Sequence, residues 1–366
     1  MTIQQPFNTI PPHLLTLADY QQQAQKHMPD SHWAYLESGA MHEVSLKDNQ
    51  QQFDKIHIRP RVLKDLSGGN TQFEMFGQSY PHPIFLAPIG HQALFHPDAE
   101  LATALAAEVL QSNLILSTFT TTDLRALNAD NPFKWFQLYW QGGHEKSLQL
   151  VKLSEQHHYK AIVITVDSPH KGIRDTERKA NFQLPPDMPH PHTKTFLMAE
   201  NLSPEQHPVF DGLMQLAPTW QDIAWLAQQT ALPIVLKGVS HPDDAKLAME
   251  HGVKGLIISN HGGRVLDTCI SPLTALERIK AVVPHDYPLL IDGGIRRGTD
   301  VFKAIALGAH AVLIGRPYIY GLATAGALGV AHVIRTLKEE FEITMALAGT
   351  ARISDISMAH IEVQSH

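Results

Sequence analysis

A single cysteine, Cys269, stands in a chain of 366 residues, which excludes an intrachain disulfide framework and any zinc site built from several thiolates. Positive charge is scarce too. Lysine and arginine number 29 against 36 aspartates and glutamates, a formal net charge of −7, so no general attraction draws the chain to nucleic acid or to anionic lipid. Long apolar runs are missing: no stretch reaches the ~18 apolar residues expected of a membrane span. The opening MTIQQPFNTIPPHLLTLADY has neither a basic n-region nor a continuous apolar h-region. The expectation is a cytoplasmic protein with no nucleic-acid partner and no membrane span. The 23 histidines carry no metal signature by number alone, and no metal site is expected.

What the chain does have is enough apolar residue, 43 % against 18 % charged, for a sizeable core in a globular protein. Short β-rich runs recur between segments of helical periodicity, the signature of repeated βα units on a parallel sheet. Eight can be read: PIFLAPIG (83–90), LILSTF (114–119), WFQLYW (135–140), AIVITVDSP (161–169), PIVLKGV (233–239), GLIISNHGG (255–263), YPLLIDGG (287–294) and AVLIGRP (311–317). Intervening segments such as DAELATALAAEVLQ, HPDDAKLAMEHG and GTDVFKAIALG begin acidic and keep helical spacing, and the last two end in glycine. An open doubly wound sheet would leave much the same local pattern, but a count of eight favours an α/β fold of the (β/α)8 TIM-barrel type. Residues 1–366 are read as one domain, with N-terminal helices within 1–80 capping the barrel or lying at its rim. Between Pro169 and Pro233 the connection runs to roughly 60 residues where short loops are usual, and 184–215 is read as a mobile lid.

In barrels of this kind the chemistry gathers at the C-terminal ends of the strands. There the sequence delivers Gln137 and Tyr139, Thr165 and Asp167, Lys237, then Ser259, His261 and Arg264, then Asp292. The tandem motifs DGGIRRG and IGRP close the seventh and eighth strands, the usual phosphate position of the fold, with glycine backbone and Arg296 and Arg316 as donors. Lys237, at the end of an apolar strand, needs an anion or an electron-rich ligand; it could form a Schiff base or remain charged beside a cofactor ring. His261 with Asp167 to hold its tautomer is a candidate general base. Arg264, three residues on, is suited to a carboxylate. Base and clamp together suggest proton abstraction from the α-carbon of a small acid.

These residues resemble the FMN-dependent α-hydroxy acid oxidases and dehydrogenases, a family that includes glycolate oxidase, lactate oxidase and mandelate dehydrogenase. SNHGGRVLD (259–267) resembles the family's active-site signature and DGGIRRGTDVFKAIALGAHAVLIGRP its flavin-phosphate segment, while WFQLYW, TVDSP, LKGV and EFEITMALAGT fall in family order. The resemblance spans nearly the whole chain. It implies that His261 takes a proton from the substrate with Asp167 supporting its charged state. Arg264 and Arg174 would clamp the substrate carboxylate, joined by the hydroxyls of Tyr35 and Tyr139. Lys237 would stand beside N1 and O2 of the flavin. Ser117, Gln137, Thr165 and Ser259 would hold the isoalloxazine and ribityl groups, with the backbone of Ala87, Pro88 and Ile89 against the ring. Asp292, Gly293, Gly294, Arg296, Gly315 and Arg316 would hold the tail and phosphate.

The chain also departs from the family pattern. Phe119 stands where plant glycolate oxidases carry tryptophan and forms a different pocket wall; Val265 replaces a common glutamine, and Ile173 precedes Arg174 where a second arginine is frequent. LAPIGHQALFHPDAE looks most like the soluble bacterial oxidases, a hint toward a larger side chain. The expected activity is oxidation of an L-2-hydroxy acid to the 2-oxo acid, with oxygen as acceptor giving hydrogen peroxide, in a homotetramer. A dehydrogenase passing electrons to a quinone is the runner-up. A type 2 isopentenyl diphosphate isomerase would need neither Arg264 at that spacing nor Asp167, and a non-catalytic barrel would be expected to have lost one of His261, Lys237 or the arginines.

Overall fold

The computed structural model describes residues 3–193 and 202–364. Part of the stretch read as a lid, 194–201, lies outside the described residues.

Eight parallel strands close into a barrel: β1 (Ile84–Leu86), β2 (Leu114–Ser117), β3 (Lys134–Leu138), β4 (Ile162–Thr165), β5 (Ile234–Val239), β6 (Gly255–Ile258), β7 (Leu289–Asp292) and β8 (Ala311–Ile314). Consecutive strands pair in register, and β8 pairs with β1 to complete the circle. Each strand is buried on both faces, which is why it reads as an unbroken apolar run. Alternation still decides which face a residue serves. Phe85, Ile115, Trp135, Val163, Val235, Ile257, Leu290 and Leu313 form one cluster inside the barrel. Their neighbours, Leu86, Leu116, Phe136, Ile164, Leu236, Ile258, Ile291 and Ile314, belong to the larger cluster under the helices.

The helical layer differs from the expectation at one place. Helices follow β1 (α4, Ala99–Leu110), β3 (α5, His144–Gln156), β4 (α6, Asp175–Lys179, and α7, Trp220–Gln229), β5 (α8, Pro242–Glu250), β6 (α9, Pro272–Lys280), β7 (α10, Gly298–Ala306) and β8 (α11, Arg316–Ala348). After β2 there is only one 3-10 turn, Leu124–Ala126. The intervening TTTDLRALNADNPF is rich in Thr, Asn and Asp, whose side chains compete for nearby backbone groups. Thr120 and Asp123 do so: Thr122 N donates to Thr120 Oγ1 at 3.1 Å and Arg125 N to Asp123 Oδ1 at 2.9 Å.

Helix α11 is long and apolar enough by composition to cross a membrane, but 78 % of its most apolar window is buried in the fold. It breaks at Ala325 and Gly326, where φ/ψ leave the helical region, and packs along α4 and the barrel.

Three N-terminal helices, α1 (Leu17–Ala24), α2 (Asp30–Glu37) and α3 (Val44–Asp54), precede two short antiparallel pairs. Strand Ile56–Ile58 pairs with Ile361–Val363 near the C-terminus. The hairpin Phe73–Met75/Gln78–Tyr80 turns at Phe76 and Gly77, both at positive φ (53° and 72°), as a two-residue hairpin turn demands. Tyr80 packs on Phe85 (4.9 Å between centroids) and Phe76 on Trp135 (5.7 Å), plugging the N-terminal end of the barrel. The C-terminal end opens, and α2 and α3 lie there.

Candidate active site

Two residues beyond each inward apolar position the alternation brings the next inward side chain, one level nearer the C-terminal mouth. That level is Ala87, Ser117, Gln137, Thr165, Lys237, Ser259, Asp292 and Gly315. Small and polar groups here replace the bulky apolar layer below, and they bond to one another. Ser117 Oγ donates to Gln137 Oε1 (3.1 Å) and Gln137 Nε2 to Thr165 Oγ1 (2.9 Å). Lys237 Nζ donates to Ser259 Oγ (2.9 Å) and pairs with Asp292 Oδ2 (2.8 Å). Burial works against the Lys237 charge, but Asp292 and Asp167 outweigh it and hold the amine above its ordinary value. The ion pair with Asp292 favours the charged amine over the free amine that Schiff-base chemistry needs.

A further step of two residues gives Ile89, Phe119, Tyr139, Asp167, His261 and Gly294. Asp167 Oδ1 meets His261 Nδ1 at 3.0 Å, and Tyr139 Oη stands 3.5 Å from His261 Nε2. Burial lowers the imidazole's affinity for a proton, and Asp167 only partly restores it, which favours the neutral ring with Nδ1 on Asp167 and Nε2 facing Tyr139. For Asp167 burial acts upward, but the facing His261 and Lys237 hold the carboxyl below its ordinary value. Burial keeps Tyr139 and Tyr35 protonated, hence donors.

The backbone of residues 259–267 explains the crowding of glycine after β6. His261, Gly262 and Gly263 all take positive φ (58°, 62° and 74°), a run for which glycine is suited. A Cβ on Gly263 would come within 2.6 Å of Leu46 N on α3. Asn260 locks the turn by accepting from Gly263 N (3.0 Å) and exchanging two 2.8 Å bonds with Asn49 of α3. Asp267 then accepts from His42 N (3.0 Å) and Ser45 N (2.9 Å), capping the start of α3. The stretch thus aims the His261 ring and docks the rim helix.

Arg264 and Arg174 line the same cavity as His261. Arg264 donates to the carbonyls of Tyr35 (2.8 Å), Leu36 (3.0 Å) and Ser38 (2.8 Å) at the C-terminus of α2, where the helix dipole favours a cation. Burial, with Arg174 and Arg316 nearby, brings its pKa down to about 9. An anion would relieve that crowding. Arg174 donates to Glu177 Oε2 (2.9 Å) and to the Arg264 carbonyl (3.2 Å). Arg316 also turns to α2 and the signature turn, donating to the carbonyls of Leu36 (2.9 Å), Ser38 (3.2 Å) and Gly262 (3.2 Å).

All of this borders one cavity of about 270 Å3 at the barrel mouth. It is lined by the predicted Tyr35, Ala87, Pro88, Ile89, Ser117, Phe119, Tyr139, Arg174, Lys237, His261, Arg264, Asp292, Gly293, Gly294, Arg296, Gly315 and Arg316. Asp167, Gln137, Thr165 and Ser259 stand behind that lining and hold its members in place. Unforeseen lining residues include His91, Lys171 and Phe182, and Leu184 joins them from the start of the stretch read as a lid. Phe182 stacks on Tyr35 at 4.4 Å, a contact with no local signal in the sequence. Gly238 was also missed: at φ 108° its absent Cβ would lie 2.4 Å from Asp167, so the glycine of LKGV makes the seat for that carboxylate.

The mouth fits a flat cofactor with a phosphate tail. A Cβ on Gly315 would meet nothing nearer than 3.6 Å, leaving its backbone open at the N-terminus of α11, where anions bind. Asp292 Oδ1 is buried with no partner among the described residues and could accept from a sugar-alcohol hydroxyl. Lys237 brings positive charge to the floor.

The family model for FMN-dependent dehydrogenases matches residues 24–363. The chain belongs to that family. It is 41 % identical over 355 residues to an L-lactate oxidase of Alicycliphilus denitrificans, covering 96 % of this chain and 97 % of the relative. It is 38 % identical to glycolate oxidase 1 of Oryza sativa subsp. indica, covering 95 % of each. A crystal structure of mandelate oxidase with benzoyl-formic acid superposes with a TM-score of 0.87 at 34 % identity, over 96 % of this chain and 98 % of that one. FMN is therefore the cofactor, and the barrel is an FMN enzyme's barrel.

Proposed function

We propose that the protein oxidises an L-2-hydroxy acid to the 2-oxo acid, with dioxygen as acceptor and hydrogen peroxide as product. The observation that carries this is the Asp167–His261 pair, 3.0 Å apart, beside the buried Arg174 and the half-buried Arg264 at one cavity. Arg174 and Arg264 bind the substrate carboxylate through donors their protein contacts leave unused, helped by the Tyr35 and Tyr139 hydroxyls. His261 Nε2 takes the substrate proton, and Asp167 stabilises the imidazolium that forms. Gly293, Gly294, Arg296, Gly315 and Arg316 hold the flavin phosphate and tail with Asp292; Ser117, Gln137, Thr165 and Ser259 hold the ring region, against the backbone of Ala87, Pro88 and Ile89. Lys237 keeps a positive charge beside the ring. Bound FMN would supply the two-electron redox chemistry that links the substrate to dioxygen.

The names of the relatives, lactate and glycolate oxidases, support a small 2-hydroxy acid and the oxygen acceptor. We assign 184–215 to a lid, supported by Leu184 and the neighbouring Phe182 at the cavity. Cutting out residues 186–210 is expected to alter substrate affinity and oxygen access more than flavin content; unaltered kinetics would remove the lid. A homotetramer in the cytoplasm completes the reading. It is supported by Leu101, Leu105 and Val109, exposed at 48 %, 56 % and 69 % and spaced to form one apolar stripe on α4, which fits a second copy of the chain.

The test is His261→Ala. It is expected to retain FMN, seen in the visible spectrum, and to lose most substrate-driven anaerobic bleaching. Bleaching at the unmodified rate would refute the assigned base.

A further inference from the structure

One wall of the cavity takes no part in the roles above. His91, on the loop after β1, is 6 % exposed and holds a left-handed backbone (φ 57°). Its ring lies on Phe119 (centroids 5.5 Å, interplanar 14°) and meets the edge of the His190 ring at 5.4 Å. His91 Nδ1 is buried with no hydrogen-bond partner among the described residues, although the ring lines the cavity. Such a group loses solvation on folding unless a ligand offers it a bond.

The wall is rigid. Glu100, fully buried on α4, accepts from Gln92 N (3.2 Å) on the His91 loop and from Thr121 N (3.0 Å), Thr121 Oγ1 (2.7 Å) and Thr122 Oγ1 (3.0 Å) on the Phe119 loop. One carboxylate therefore ties together the two loops that present these rings, as a selective site requires.

The rings are ordered from the base outward. Tyr139 stands by His261, Phe119 lies 4.7 Å from Tyr139, and His91 follows Phe119. With the carboxylate held by Arg174 and Arg264 and the reacting carbon near His261, the substrate side chain runs along Phe119 toward His91. A cation stands at that end. Lys171 lines the same cavity and pairs with Glu177; burial first, then His190 and Lys171, press His91 down to about 4.

We propose that His91 and Lys171 form the specificity-determining end of the substrate pocket, selecting 2-hydroxy acids whose side chain terminates in a second carboxylate. The carboxylate accepts from the imidazole and from the Lys171 ammonium, and the apolar middle of the side chain rests on Phe119. This rests on the function proposed above.

The test uses the FMN-loaded enzyme with two acids of equal chain reach, L-2-hydroxyglutarate and L-2-hydroxyhexanoate, and reads the ratio of their kcat/KM values. A charge-assisted hydrogen bond that only the diacid can make predicts a ratio of about ten or more in the diacid's favour. His91→Phe, which keeps the ring but not its nitrogens, and Lys171→Met should each lower the ratio about tenfold, through the diacid's KM more than its kcat. His91→Asn, which tolerates the left-handed backbone and retains a donor, should keep most of it. Dissociation constants of 2-oxoglutarate and 2-oxohexanoate, from their perturbation of the oxidised flavin spectrum, should move in parallel. A parent enzyme preferring the hexanoate, or a ratio unmoved in both His91→Phe and Lys171→Met, would overturn the proposal while leaving the oxidase intact. If neither these acids nor lactate reduced the flavin, the oxidase reading would fail first and the proposal with it.

Discussion

Replacing Asp167 by asparagine removes a charge and leaves a hydrogen-bond acceptor of the same shape, so it isolates the electrostatic part of the Asp167–His261 pair. In the resting enzyme His261 is neutral; once it holds the substrate proton, the imidazolium faces the carboxylate across a 3.0 Å hydrogen bond. With charge centres about 4 Å apart and an effective permittivity near 20, the attraction is about 4 kcal/mol. Relief from burying the carboxylate offsets part of it, leaving about 2–4 kcal/mol, or flavin reduction slower by roughly 30- to 1,000-fold. The pH profile fixes the sign. Burial already places the imidazole below the ordinary histidine value of 6.5, and Asp167 opposes that shift. Without the carboxylate the proton affinity falls further, so the ascending limb of reduction rate against pH should move to lower pH while the plateau drops. Anaerobic stopped-flow absorbance at saturating substrate measures both. A plateau within about threefold of the parent, with the limb unmoved, would refute the argument from charge stabilisation.

Three more outcomes follow from particular contacts. Lys237→Met strands Asp292 in the interior and should cost about 3–5 kcal/mol of stability, most of it recovered in the Lys237→Met/Asp292→Asn double variant; denaturant melts of the flavin-free proteins would measure it, and additive losses would contradict the pairing. Gly238→Ala places a methyl 2.4 Å from Asp167 at a φ of 108°; it should cut flavin reduction at least as severely as Asp167→Asn, and near-normal turnover would show that the seat of Asp167 yields easily. Asp267→Ala uncaps α3 and should lose about 1 kcal/mol, seen as a fall of a few degrees in melting temperature with flavin content unchanged.

Much of the site was legible because a barrel strand converts a period of two into depth. Once Val235, Ile257 and Leu290 are read as inward-facing, Lys237, Ser259 and Asp292 must form the next level, and His261 must stand above Ser259. The tandem glycine motifs were legible as cavity lining for the same reason: both sit just past a strand. What stayed hidden depends on contacts distant in sequence. Nothing local to Gly238 says that Asp167 will press on it, and nothing in PHPHTK or HQALF pairs His190 with His91. The missing helix after β2 was legible in composition, since TTTDLRALNADNPF is rich in residues that bond their own backbone, but the expectation of regular repeats overrode it. Glu177, three residues beyond Arg174 in the first turn of the helix that Arg174 precedes, was the missed partner with a readable signal.

The measurement that bears most directly on the account is anaerobic mixing of the yellow holoenzyme with L-2-hydroxy acids (glycolate, lactate, 2-hydroxyglutarate, long-chain 2-hydroxy acids and mandelate), followed by admission of air. The account predicts bleaching by at least one of these acids and rapid recolouring, with one hydrogen peroxide formed per acid oxidised. A flavin that bleaches but recolours only with an added quinone would contradict the oxidase assignment, and a flavin that none of these acids bleaches would contradict the proposed reaction itself.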